Sequence, residues 1–177
     1  MKIAIIGYSG AGKSTLAERL SSHYSIPKLH MDTLQFQPGW QDSDRDWMET
    51  EMKNFLTKHE AWVIDGNYSW CCYEERMQEA DQIIFLNFSP WTCLFRAFKR
   101  YLTYRGKVRE SMAAGCPERF DWDFIRWILW DGRTKNAKER YQRFQETYPD
   151  KVIVLRSQKE MDHFLENLVH NKKNQRA

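Results

Sequence analysis

Gly7-Tyr8-Ser9-Gly10-Ala11-Gly12-Lys13-Ser14 has the spacing G-x-x-x-x-G-K-[ST], and Thr15 follows it. Few short patterns restrict a fold so tightly. The apolar run Ile3-Ala4-Ile5-Ile6, with Lys2 ahead of it, reads as a buried strand. Residues 13–23 read as a helix with Leu16, Ala17 and Leu20 on one face. Strand, glycine turn and helix in that order make an anion cradle. Gly7, Gly10 and Gly12 let the backbone curl, so that N–H groups, those of Ser9 and Ala11 included, face phosphate oxygens. The following helix presents its positive end to the same anion. Lys13 supplies a mobile cation for the β- and γ-phosphates, and Ser14 a hydroxyl for a metal ion. The pattern predicts ATP and Mg²⁺ as cofactors, held by residues 7–15.

The rest of the chain agrees with that start. Residues 25–30, 61–64, 82–86 and 151–155 read as further strands, most of them Val/Ile/Leu runs. Helical patterns cover 44–59, 91–105, 121–147 with a break near Gly132, and 158–170. Residues 171–177 read as a frayed polar tail. Apolar strands that alternate with helices predict an α/β fold whose parallel sheet is covered on both faces. Ligands of such sheets bind beyond the carboxyl ends of the strands. Gly7, Asp32, Asp65 and Asn87 all fall just past predicted strand ends, which points to one shared crevice.

Three groups of residues there carry candidate chemistry. Asp65 ends the run Trp62-Val-Ile-Asp65-Gly66-Asn67-Tyr68. It can orient Mg²⁺ together with Ser14. Gly66 would let a ligand approach the backbone, so Asp65, Gly66, Asn67 and Tyr68 are equally candidates for the substrate side. Asp32, at the exit of the second strand, can orient an acceptor hydroxyl and take its proton. Gln37-Pro38-Gly39-Trp40 is a turn that would set Trp40 over the substrate side. His30 reads as a structural histidine. The third group is the acid-free block Arg96, Lys99, Arg100, Arg105, Lys107 and Arg109. Arg96 and Arg100 share one helix face. Guanidinium groups on a mobile flap can stabilise a transferring phosphoryl group and exclude water, which makes Arg100 and Arg109 catalytic candidates and Arg105 a substrate contact. Downstream, Phe124, Trp127 and Ile128 lie at core spacing and predict a buried stripe. Of Arg126, Arg133 and Arg140 the spacing does not say which faces phosphate.

Composition narrows the alternatives. A length of 177 residues suits one domain with small insertions and a core that needs no disulfide staples. Cys71, Cys72, Cys93 and Cys116 form no C-x-x-C pair and read as reduced thiols, partly buried, which with the lack of a cleavable leader or a membrane-length apolar run predicts a cytoplasmic protein. A net charge of +3 neither demands nor excludes nucleic acid. An aromatic content of 15% exceeds what one core needs, so some rings should line a cleft, with Trp40, Tyr68 and Trp70 on the acceptor side. The pattern favours neither monomer nor dimer.

The loop 7–15, the exits at Asp32 and Asp65-Gly66 and the Arg96/Arg100 pair together resemble the small P-loop kinases, among them adenylate, shikimate and gluconate kinases. Four segments are more specifically similar to the bacterial topology modulation protein family. They are Leu29-His-Met-Asp32, Pro38-Gly39-Trp40, Val63-Ile-Asp-Gly-Asn-Tyr68, and Gly115-Cys-Pro-Glu118 with Asp121-Trp-Asp-Phe124 downstream. The resemblance implies a nucleoside-monophosphate-kinase-like fold: three layers, a five-stranded parallel sheet of order 2-3-1-4-5, and a helical lid. It implies one domain, 1–177, with a substrate-binding insertion at 32–60 and a lid at 96–120. It also implies that Arg96 stacks on adenine and Arg100 contacts phosphates. Asp65-Gly66-Asn67-Tyr68 departs from the adenylate kinase pattern, and no paired-arginine clamp for a nucleotide acceptor is visible. The expectation is therefore an ATP- and Mg²⁺-dependent kinase acting on a small-molecule acceptor. The rivals are an NTPase without an acceptor and, from the family name, a nucleotide-dependent DNA-binding regulator of DNA topology. The latter would use the basic flap and the Lys172-Lys173-Arg176 tail.

Overall fold

The computed structural model describes residues 1–174, with side chains described as far as His170. The strands are β1 (Lys2–Gly7), β2 (Lys28–His30), a short pair β3 (Phe36–Gln37) and β4 (Gln41–Asp42), then β5 (Trp62–Asp65), β6 (Gln82–Leu86) and β7 (Val152–Leu155). The helices are α1 (Lys13–Tyr24), α2 (Asp32–Gln35), α3 (Arg45–Lys58), α4 (Tyr73–Glu79), α5 (Pro90–Tyr104), α6 (Trp122–Leu129), α7 (Lys135–Thr147) and α8 (Gln158–Asn174). A 3₁₀ turn, Asp131–Arg133, falls at the expected break between α6 and α7.

The main sheet is parallel, in the order β2-β5-β1-β6-β7. Counted along its own five strands, this is the expected 2-3-1-4-5. The antiparallel β3–β4 hairpin stands outside it and was not legible in so short a segment. The sheet is apolar because both faces are covered. Ile3, Ile5, Val63, Ile64, Ile83 and Ile84 are wholly buried. Each such side chain contributes on the order of 1.5–3 kcal/mol by leaving water. Register then positions the site. Ile5 pairs with Asp65, His30 with Asp65, and Gly7 with Leu86, so the carboxyl ends of four strands finish side by side.

The helices start where the caps allow. Asp44, Ser89, Asp121 and Thr134 each accept a backbone N–H from the first turn of α3, α5, α6 and α7. α3 buries Met48, Met52 and Leu56 at four-residue spacing, whereas Trp47 is exposed. α4 gave no signal in the sequence because its buried residues are Met77 and an arginine, Arg76. The Arg76 guanidinium donates to the carbonyls of Tyr68 at 2.9 Å and Cys71 at 3.3 Å, anchoring the loop after β5. α8 extends through Asn174, into the segment expected to fray, while Gln175, Arg176 and Ala177 lie outside the described residues. All four cysteines are free thiols, and Cys71, Cys93 and Cys116 are buried. No described helix is long and apolar enough to cross a membrane.

Candidate active site

A cleft of about 1660 Å³ opens at the carboxyl ends of the strands. Single small-molecule sites run to roughly 300–1000 Å³, so this volume has room for two small molecules. Ser9, Gly10, Gly12, Lys13, Ser14 and Thr15 line one end of it, while Gly7 and Ala11 sit behind them in the turn. Gly10 has φ of 80°, and a Cβ there would lie 2.5 Å from the Cys93 carbonyl, so only glycine lets the loop pack on α5. The N-cap of α1 is Gly12, with no side-chain cap, which leaves the first-turn N–H groups open to an anion.

Lys13 folds back over the loop, its Nζ donating to the carbonyls of Gly7 at 3.0 Å and Tyr8 at 3.4 Å. Burial pushes its pKa down, against the opposing pull of Asp32 and Asp65. Asn67 grips the same loop. Its Oδ1 accepts from Gly7 N at 2.9 Å and its Nδ2 donates to the Gly7 carbonyl. A residue assigned to the substrate side from sequence is thus also engaged in holding the phosphate loop.

Asp65 does not line the cleft; it lies buried behind Ser14, whose Oγ donates to Oδ2 at 2.9 Å. His30 meets Asp65 Oδ1 at 2.5 Å through Nδ1 and Glu18 Oε1 at 3.0 Å through Nε2. Burial alone would lower the His30 pKa, but the hydrogen bond and charge of Asp65, joined by Glu18, raise it above its ordinary value. Lys28 completes the row by donating to Glu18. A hydroxyl beside a fixed carboxylate is an all-oxygen set that fits a hard cation such as Mg²⁺, with phosphate oxygens and water filling the remaining positions. The sequence left His30 as a structural residue because only the β2–β5 register brings it against Asp65.

Asp32 heads α2 and faces the cleft. Tyr68 donates its hydroxyl to Asp32 Oδ1 at 2.7 Å, and burial together with the Asp32 charge pushes the Tyr68 pKa far up. Gly66 is less open than its sequence suggests. With φ of 149°, the place of its Cβ is taken by the Met31 side chain, 2.6 Å away. Trp40 lines the cleft from the hairpin, and Trp70 from the loop after Tyr68.

The basic block divides. Arg96 lies over the loop at Gly12, 5.1 Å from the Phe88 ring, and donates to Gln158 at 2.9 Å. Arg100 and Arg109 both line the cleft, and both are tied to Glu118, at 2.7 Å and 2.5 Å. Glu118 is 3% exposed at its side chain, and nothing in its local sequence pattern marks it as a partner for both arginines. Burial lowers the Arg100 pKa, and its Nε is buried without an acceptor among the described residues. Arg105 is a correction: it caps the exposed end of α5, before the turn at Gly106, and stays off the cleft wall. Trp127 is a second. So short a helix as α6 buries only Ile128 fully, while Trp127 is 50% exposed and donates to Ser9 Oγ at 3.1 Å. Arg126 pairs with Asp131, Arg133 lies 3.7 Å from the Tyr8 ring, and Arg140 reaches Ser69.

No protein-family model matches the chain, and no curated protein matches it. Solved structures do. A deoxyadenosine kinase from M. mycoides superposes over 100% of both chains with a TM-score of 0.54 at 19% identity. A gluconokinase from Sinorhizobium meliloti covers 98% of this chain and 96% of its own at 0.52 and 18%. A shikimate kinase from Bacteroides thetaiotaomicron covers 98% of both at 0.52 and 17%. The fold is that of the P-loop kinases.

Proposed function

We propose that the protein is an ATP-dependent phosphotransferase that moves the γ-phosphoryl group to a hydroxyl of a small molecule. One observation carries this reading: Asp32 and Lys13 belong to one cleft, with the Asp32 carboxylate close enough to act on the Lys13 ammonium. The phosphate cradle and a base for an acceptor thus share a cavity large enough for both substrates. Residues 7–15 hold the triphosphate. Ser14 and Asp65 hold Mg²⁺, which when bound neutralises phosphate charge. Arg96 contacts the nucleotide, and Arg100 and Arg109 reach the transferring group. Residues 32–60 act as the acceptor-binding insertion and 96–120 as the lid. A hydroxyl acceptor needs a base, and a carboxylate there would repel an acceptor phosphate, which argues against nucleotide phosphorylation.

The kinship with topology modulation proteins belongs to this proposal too. It gains support from where its segments lie. Asp32 meets Tyr68, Gly39 N donates to Gly115 O at 3.0 Å, and Trp40 donates to Pro117 O at 3.2 Å.

The test is a metabolite screen for acceptor-dependent conversion of ATP to ADP, run with Lys13→Ala and Asp32→Asn as controls. Lys13→Ala should lower turnover by roughly 100- to 1000-fold with the fold intact. Asp32→Asn should lose transfer by about 100-fold or more and keep the ATP affinity measured by calorimetry. Unchanged turnover in Lys13→Ala defeats the enzyme reading. ATP consumption that no acceptor stimulates favours an NTPase instead.

A further inference from the structure

The walls beside Asp32 carry chemistry that the phosphate end does not use. Phe36 and Trp40 lie edge to face, 5.2 Å between centroids, on the hairpin side. Tyr68 and Trp70 form a second T-shaped pair, 6.2 Å apart, on the loop after β5. All four are half-buried and line the cleft, unlike the core rings Trp62, Phe85 and Phe88, which are buried outright. Both indoles are held in place without a ligand. Trp40 donates to Pro117 O at 3.2 Å under the Arg119 guanidinium at 4.7 Å, and Arg45 lies 5.0 Å from the Trp70 ring. Rings fixed in advance lose little entropy when a flat partner stacks on them.

Charge limits what that partner can be. Tyr68 occupies Asp32 Oδ1, and Asp32 Oδ2 accepts no bond among the described residues. That oxygen attracts a hydroxyl and repels a carboxylate or phosphate. Two of the cations on the aromatic side are already engaged, Arg109 with Glu118 and Arg119 with Asp121 at 3.3 Å.

Building on the kinase reading, we infer that the acceptor is an uncharged nucleoside-type molecule, its planar base against these aromatic pairs and its hydroxyl at Asp32 Oδ2. The acceptor O–H gives its proton to Asp32, and its oxygen forms the new bond to the γ-phosphorus. The bond from that phosphorus to the β,γ-bridging oxygen breaks, and the electron pair leaves with the diphosphate. Asp32 then releases the proton to water.

Calorimetry of the full chain tests this with adenosine, guanosine, cytidine and thymidine, and with AMP, gluconate and shikimate. Each is titrated with and without a non-hydrolysable ATP analogue and Mg²⁺. At least one nucleoside should bind and should stimulate ADP formation from ATP. Trp40→Leu and Trp70→Leu should weaken that nucleoside roughly 5- to 100-fold. They should leave the affinity for the ATP analogue within about twofold, as folded variants with an intact phosphate end must. Absence of binding by every nucleoside overturns the inference, as does binding of gluconate, shikimate or AMP in their place; the kinase reading survives both. Nucleoside affinity unchanged in both tryptophan variants overturns it too. Failure of the wild type to bind the ATP analogue is a separate result, and it sinks the kinase reading itself.

Discussion

Asn67 and Gly7 are sixty residues apart, yet one side-chain amide satisfies both backbone groups of the glycine that opens the phosphate loop. Those groups lie where burial would make them costly if left unpaired. Asn67→Ala should therefore lower stability by about 1–3 kcal/mol. It should also weaken ATP-analogue binding, because the loop loses its anchor before any phosphate arrives. Chemical denaturation and calorimetry on one preparation check both effects. Full stability in the variant would show that water replaces the amide. The sequence displayed Asn67 but not this partner, since nothing in Asp-Gly-Asn-Tyr points to Gly7. The pairing of β1 with β5 brings them together.

Residues 105–121, between α5 and α6, carry no helix or strand, so their order depends on side chains and a few loop bonds. Glu118 draws in Arg100 and Arg109, and a small cluster of Met112, Ala113 and Cys116 packs on Phe36 and Trp40. Cys116 Sγ donates to Gln37 O at 3.1 Å. The β3–β4 hairpin and the segment 105–121 thus meet across the cleft mouth. Breaking a fully buried ion pair costs roughly 3–5 kcal/mol, but Arg100 keeps 27% of its side chain exposed, which screens the charge. Glu118→Gln should loosen this segment by on the order of 1–2 kcal/mol, seen as about 5- to 30-fold faster amide exchange over 105–118. Exchange in β1 and β6 should not change. Equal acceleration everywhere would mean that Glu118 supports the global fold rather than this segment.

The cleft lies at the carboxyl ends of one sheet, so on the kinase reading nucleotide binding should stabilise the molecule as a unit. Ligand at a hundred times its Kd adds about 2.7 kcal/mol, and a domain of this size gains roughly 2–4 °C per kcal/mol. An ATP analogue with Mg²⁺ should therefore raise Tm by about 5–11 °C, and Lys13→Ala should remove most of that shift. Scanning fluorimetry reads both. A wild-type chain that does not move contradicts the phosphate-loop reading at its base.

What the sequence determined by itself is local. Gly7–Ser14 specifies its turn because glycine spacing, Lys13 and the helix start act within a few residues of one another. The apolar runs specify a parallel sheet because strands buried on both faces leave no room for alternation. Asp32 and Asp65 were legible as strand exits for the same reason. Tertiary structure alone decided which side chains act together. It placed His30 against Asp65 and Glu118 between two arginines, brought Trp127 to Ser9 and left Arg105 outside the cleft. It also buried Arg76, which broke the apolar pattern that would have revealed α4. Each of these depends on strand register or on how separate loops and helices meet. Such contacts form between segments distant in the chain, and hydrophobic periodicity does not encode them.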